Sequence, residues 1–142
     1  MQALIDANIL LDVLYDRKPF WEHSSRIWNL SESALFSGVV SALTVANIIY
    51  IMRKELNPDK TREVVSRISE AFAIGDLRFD DLQSAADMRW KDYEDALQVI
   101  CASRNHADFI VTRNVRDFTD SPIPAVTPEE FLERLSVAEG GI

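Results

Sequence analysis

Short apolar runs that stop at polar residues alternate with helix-length segments along the whole sequence, and this alternation constrains the fold most. Ala3-Leu4-Ile5 stops at Asp6. Val39-Val40 follows Gly38 and ends near Ser41. Phe109-Ile110-Val111 ends at Thr112-Arg113-Asn114, and Ala125-Val126 is a weaker fourth run. A further short strand is expected at Leu77-Arg78-Phe79. Their length and composition suit buried strands. Helical periodicity fills the intervals. Residues 8–15 carry Leu10, Leu11, Leu14 and Tyr15, and residues 22–34 carry Ile27, Trp28 and Leu30. Residues 43–55 are apolar nearly all round. Asn57-Pro58 opens a helix, with Asn as N-cap and Pro at the first helical position, that is expected to run to about Ile74 and stop at Gly75. Helices follow over about 81–90 and 93–106. Thr127-Pro128-Glu129-Glu130 is a capping box that opens a last helix to about Val137. Strand–helix alternation implies βα crossovers and a parallel sheet covered on both faces.

The chain has 142 residues, which suits one domain spanning 1–142. Its composition, 47% hydrophobic and 27% charged with few Gly and Pro, is that of a globular protein. The lone Cys101 excludes an intrachain disulfide and a thiolate zinc cluster, which fits a reducing, cytoplasmic setting. The first residues have neither a basic region nor an uninterrupted apolar region, so no signal peptide is expected, and no apolar run approaches a membrane span. The formal net charge of −8 argues against a broad basic face for polyanions. It leaves open a local site whose acids are neutralised by a metal.

Ligand sites in parallel sheets lie at the carboxyl ends of the strands. Asp6 follows the first strand, Asn114 and Asp117 follow the Phe109–Val111 strand, and Asp92, Glu94 and Asp95 open the helix at 93–106. Each also has a structural reading. Asp6 and Asp92 are good N-caps, Asp95 suits a helix first turn, and Asn114 and Asp117 suit turns. Taken together, acids from distant segments would repel one another. Two ionised carboxylates ~4 Å apart at an effective dielectric of ~20 cost about 4 kcal/mol. A divalent cation relieves that cost, and oxygen donors without His or Cys favour Mg²⁺ or Mn²⁺ over Zn²⁺. Such a site suits phosphodiester hydrolysis by a metal-activated water. No Gly-rich phosphate loop and no G-x-S-x-G motif is present, and His23 and His106 fall away from the strand ends.

Three segments resemble the PIN-domain family, in particular VapC-type toxin ribonucleases: Leu4-Ile5-Asp6-Ala7-Asn8-Ile9-Leu10-Leu11-Asp12, Asp92-Tyr93-Glu94-Asp95-Ala96-Leu97, and Ile110-Val111-Thr112-Arg113-Asn114-Val115-Arg116-Asp117-Phe118. The resemblance covers nearly the whole chain. It implies a three-layer α/β/α sandwich around a parallel sheet of four to five short strands. It also implies a divalent-metal site, endoribonuclease activity on RNA and, as in toxin members, a small antitoxin partner and homodimerisation. Position by position, Asp6, Asp95 and Asp117 correspond to metal-binding and catalytic acids. Glu94 neighbours the second of these, and Thr112 supports the closing motif. Ser41-Ala42-Leu43-Thr44-Val45-Ala46-Asn47 resembles the family's second motif, with Asn47 where Glu is common, and Asn114 stands where Asp is common. Asn keeps an oxygen donor and loses a charge, so these two supporting positions weaken the expected hold on metal.

Arg113 and Arg116 flank the acids and are expected to meet an RNA phosphate. The apolar helix at 43–55 is read as core, with a homodimer or partner contact as the alternative. Pro19-Phe20-Trp21 is either a hydrophobic staple or an aromatic surface for an antitoxin segment. Two other functions compete with the nuclease. One is the same fold acting as an RNA- or protein-binding module with a weakened site. The other is a phosphatase of the haloacid dehalogenase type, which would want an Asp where Asn8 stands.

Overall fold

The computed structural model describes residues 1–138, and residues 139–142 of the expected single domain lie outside the described residues. Five parallel strands form one sheet in the order β3-β2-β1-β4-β5: β1 Gln2–Ile5, β2 Ser37–Ser41, β3 Ala73–Gly75, β4 Phe109–Val111 and β5 Ala125–Val126. Leu4 of β1 is in register with Val39 on one side and Ile110 on the other. This makes β1 the central strand, and it explains why Ala3, Leu4 and Ile5 are all fully buried. The chain steps outward from β1 through β2 to β3, then returns to the opposite side of β1 for β4 and β5. The strand order therefore reverses between β1 and β4, where ligand crevices form in open parallel sheets.

Alternate residues of each strand feed opposite layers. Ala3, Ile5 and Val111 join the larger core, made with Ile9 and Leu10 of α1 (Ala7–Leu14), Ile27 and Trp28 of α2 (Trp21–Glu32), Ile68 of α4 (Pro58–Ala71) and Phe131 of α7 (Pro128–Ala138). Leu4, Val39 and Ile110 face the other way, onto Val99, Cys101 and Ala102 of α6 (Tyr93–Arg104). A third small cluster joins Ala85 of α5 (Phe79–Asp87) to Ala96 and Leu97 of α6. Helices cover both faces, so the expected three-layer α/β/α sandwich is the observed fold.

Three expectations change. The helix opened by Asn57 ends at Ala71, and residues 73–75 form β3. Phe72 adopts an extended backbone and is buried, and Val39↔Ala73 pairing overrides the continuing helical pattern. Gly75 closes this edge strand, where a Cβ would lie 2.8 Å from Cys101 Sγ, so only glycine lets β3 approach α6 this closely. No strand forms at 77–79; the Asp81 carboxylate accepts from the Arg78 N–H at 2.8 Å and starts α5 at Phe79. The apolar segment at 43–55 is helical as α3 over Ala42–Ile51 and then turns. Ile48 is buried, while Tyr50 and Ile51 at its far end are 65% and 46% exposed. The all-round apolar pattern reflects a helix with an uncovered end rather than a wholly buried one. Among the described residues no helix is long and apolar enough to cross a membrane.

Candidate metal centre and acid cleft

β1 ends at Ile5, and Asp6 caps α1 with an extended backbone, its Oδ1 accepting from the Ala7 N–H at 2.8 Å. The capping and functional readings of Asp6 thus describe one geometry. Capping fixes the carboxylate at the carboxyl edge of the central strand. Oδ1 also accepts from Gln98 Nε2 at 3.1 Å, and Oδ2 accepts from Thr112 Oγ1 at 2.8 Å. Asn8 Nδ2 approaches Oδ2 only at 3.4 Å, the outer limit of a hydrogen bond, which leaves a lone pair of Oδ2 available. Thr112 is fully buried just past β4, and its hydroxyl oxygen accepts from the Asn114 N–H at 3.0 Å. Gln98 is buried on α6 and also donates to Thr44 Oγ1 of α3 at 3.2 Å. Four elements therefore lock the orientation of one carboxylate.

Asp95 sits in the first turn of α6, whose N-cap is Asp92, the Asp92 carboxylate accepting from the Asp95 N–H at 3.1 Å. Burial, followed by the charges of Asp92, Asp6, Asp117 and Glu94, pushes the Asp95 carboxyl up to about 7. Asp6 and Asp117, whose charges act on Asp95, lie on separate segments of the chain. Among the described residues no guanidinium or ammonium forms an ion pair with Asp95. Asp117 is exposed on a short 3-10 helix, Val115–Phe118, and lines with Glu94, Asp95 and Arg116 a cleft of about 1040 Å³.

The remaining expected residues divide. Asn114 is exposed and faces a neighbouring hollow with Phe20, His23 and Arg113. Asn47 is half-buried one turn beyond Thr44 on α3 and makes no hydrogen bond to the acids. Arg113 is engaged by a different acid. Its Nε and Nη2 donate to the two oxygens of Asp12, both at 3.0 Å, and its guanidinium stacks 3.9 Å from the Phe20 ring centroid. Asp12 is fully buried and accepts a further bond from Ser24 Oγ at 2.9 Å. Phe20 is thus half of a cation–π pair, beyond the staple and partner-surface alternatives read for it. Gln98, Thr44 and Asp12 were not read as site or scaffold residues from sequence. The available signal for Gln98 was one amide in an apolar stretch, three residues after Asp95.

The donors near Asp6 and Asp95 are carboxylate, amide and hydroxyl groups, which suit a hard cation. Among the described residues no three His, Cys, Asp or Glu side chains form a ready-made cage. The arrangement fits a cation held by one or two carboxylates that keeps much of its own water, the usual mode for Mg²⁺.

A parallel α/β sheet with unneutralised carboxylates at its topological switch point defines a class of site suited to metal-assisted chemistry on phosphates. The sequence matches the PIN domain family over residues 2–116, and the chain belongs to that family. No curated protein matches the sequence. The fold is similar to that of a chain in a toxin–antitoxin complex from Klebsiella pneumoniae, at 25% identity and a TM-score of 0.67, covering 89% of this chain and 97% of that one. It is also similar to a chain of VapBC2 from Rickettsia felis, solved bound to a DNA fragment from their promoter, at 15% identity and a TM-score of 0.68, covering 89% and 98%. A third likeness is to VapC20 of Mycobacterium tuberculosis, a sarcin-ricin loop cleaving toxin, at 11% identity and a TM-score of 0.59, covering 76% and 86%. The last two are likenesses of fold.

Proposed function

We propose that this protein is a divalent-metal-dependent endoribonuclease and the toxin of a toxin–antitoxin pair, acting in the cytoplasm. The observation that carries the reading is a rigidly oriented Asp6 together with an unneutralised Asp95 whose proton affinity is raised by burial and then by the charges of its acidic neighbours, Asp6 among them. Bound Mg²⁺ or Mn²⁺ would supply charge neutralisation and a water of lowered pKa for attack on an RNA phosphodiester. Asp6 and Asp95 would provide the principal oxygens, with Asp117 and Glu94 at the cleft wall. Thr112 and Gln98 keep Asp6 aimed, which limits reorganisation during the reaction. Arg116 lines the acid cleft and would draw the substrate phosphate, while Arg113, paired with Asp12, holds the Thr112–Asn114 segment in place.

Membership in the PIN domain family and the likeness to the Klebsiella toxin–antitoxin complex support a small antitoxin as partner. The exposed Trp21, Tyr50 and Ile51 give apolar surface for that partner or for a homodimer contact. Cleavage of a structured RNA by wild type and Asp6→Asn, with and without Mn²⁺, tests the nuclease. Mn²⁺-dependent cleavage confined to wild type is expected; equal cleavage by both proteins would remove the assignment. That no ready-made cage forms among the described residues favours one second reading, a binding module with a weak site. It is distinguished by a wild type that binds RNA, cleaves none and gains no stability from Mn²⁺.

A further inference from the structure

We infer that the loop between α5 and α6 is a binding subsite for single-stranded RNA. In it Arg89 and Lys91 hold backbone phosphates, and the ring of Tyr93 stacks on a base next to the reacting position. The inference rests on the nuclease reading and names how that site takes its substrate. The cleft of about 1040 Å³ that is lined by Asp95 and Asp117 is also lined by Arg89, Trp90, Lys91 and Tyr93. Pockets for small ligands span ~300–1,000 Å³, so this cleft is at the upper end and suits a short stretch of polymer.

Three observations converge on the loop. The first concerns charge. Arg17, Arg78, Arg104 and Arg113 are all engaged in ion pairs. Arg89, Lys91 and Arg116 share a cleft with several carboxylates, yet among the described residues none of the three forms an ion pair. Cations held apart from nearby acids are available to an anion from outside, and RNA phosphates are anions of that kind.

The second concerns the backbone. Arg89 follows the end of α5 with φ 56°, in the left-handed region that glycine usually fills at a helix end. A side chain there carries a conformational cost, and in return the cleft mouth keeps a guanidinium.

The third concerns the ring. Tyr93 is 41% exposed, yet its hydroxyl donates to the Leu82 carbonyl at 2.8 Å, so the ring is pinned while remaining accessible. A pinned ring loses little freedom when a base stacks on it. Stacking requires an unpaired base, which selects a single strand over a duplex.

Fluorescence anisotropy with a labelled hexaribonucleotide and a labelled duplex RNA tests the inference. Ca²⁺ serves as the cation, probe integrity is checked by gel, and the measurement is repeated across a salt series. Arg89→Gly is expected to raise the melting temperature while weakening hexaribonucleotide binding severalfold and lowering the log–log salt slope by about 0.7, the contribution of one phosphate contact on a single strand. Tyr93→Leu is expected to weaken binding by about 5- to 150-fold with an unchanged salt slope, and Tyr93→Phe to retain most of it. Melting temperatures at or above that of wild type confirm folding of each variant, and Lys91→Ala is a second charge variant, at a residue outside both helices. Unchanged binding in Arg89→Gly, Lys91→Ala and Tyr93→Leu, or a duplex bound as tightly as the single strand, would overturn the subsite. Those outcomes combined with an inactive Asp6→Asn would leave the nuclease reading in place. An active Asp6→Asn with weakened binding in the loop variants would remove the nuclease assignment and keep the subsite.

Discussion

Asp12 and Asp95 are both acids drawn into the protein, and the fold treats them in opposite ways. Asp12 is fully buried, receives two bonds from one guanidinium and one from Ser24, and acts as a rivet between α1, α2 and the segment after β4. Asp95 is half-buried; its backbone N–H donates to the capping Asp92 carboxylate, and the charges that act on its own carboxyl are those of acids. A buried carboxylate that serves structure is neutralised by the chain itself. One left among like charges raises the energy of the unliganded protein and is available to an external cation. The difference separates the scaffold of this domain from its proposed chemistry.

The largest expected effect lies on the scaffold side. Removing one partner of the Asp12–Arg113 pair strands a buried charge, so Arg113→Ala should destabilise the protein by about 3–5 kcal/mol in urea unfolding. Replacing both, as Asp12→Leu with Arg113→Met, should recover part of that loss, since a packed apolar pair often matches a buried ion pair. A negligible effect of Arg113→Ala would instead assign this arginine to the substrate side. On the chemistry side, Gln98→Leu removes a donor that orients Asp6 and should weaken Mn²⁺ binding by about 10- to 100-fold, read by calorimetry, with little change in fold.

A smaller effect sharpens the contrast through pH. The Asp95 carboxyl stands at about 7 in the folded protein against 3.8 ordinarily. The folded state therefore holds this proton more tightly than the unfolded state. That contribution to stability is complete below about pH 4 and is lost as pH rises through 7. Metal-free wild type should lose stability between pH 5 and pH 7.5 relative to Asp95→Asn, whose profile should be flatter. Identical pH profiles in thermal melts would show that Asp95 is not strained by its neighbours.

The sequence made the strand ends legible because an apolar run stops at them. Asp6 and Thr112 follow directly from that pattern, and the Asp92 cap from its place before a periodic helix. The N-cap at Asn57 and the capping box at Thr127 also appear as read, with Asn57 Oδ1 accepting from Lys60 N–H at 2.8 Å and Thr127 Oγ1 from Glu130 N–H at 3.2 Å. Long-range partners were not legible. Asp12 and Arg113 are 101 positions apart, and nothing local in either segment marks the pair. β3 was hidden because Ala73 and Ile74 continue a helical pattern, and only pairing with β2 decides their state. Asp117 and Glu94 were legible as acids near the site. That both line one cleft with Asp95, while Asp6 is held at the end of β1 by Gln98 and Thr112, depends on tertiary packing.

The most direct test is thermal stabilisation by Mn²⁺ of wild type and Asp95→Asn, each at pH 7.5 and pH 5. The account predicts a concentration-dependent rise in melting temperature for wild type at pH 7.5 that fades at pH 5, where the Asp95 carboxyl is protonated, and that is strongly reduced in Asp95→Asn at both pH values. No rise for wild type at pH 7.5, or an equal rise in Asp95→Asn, would contradict it.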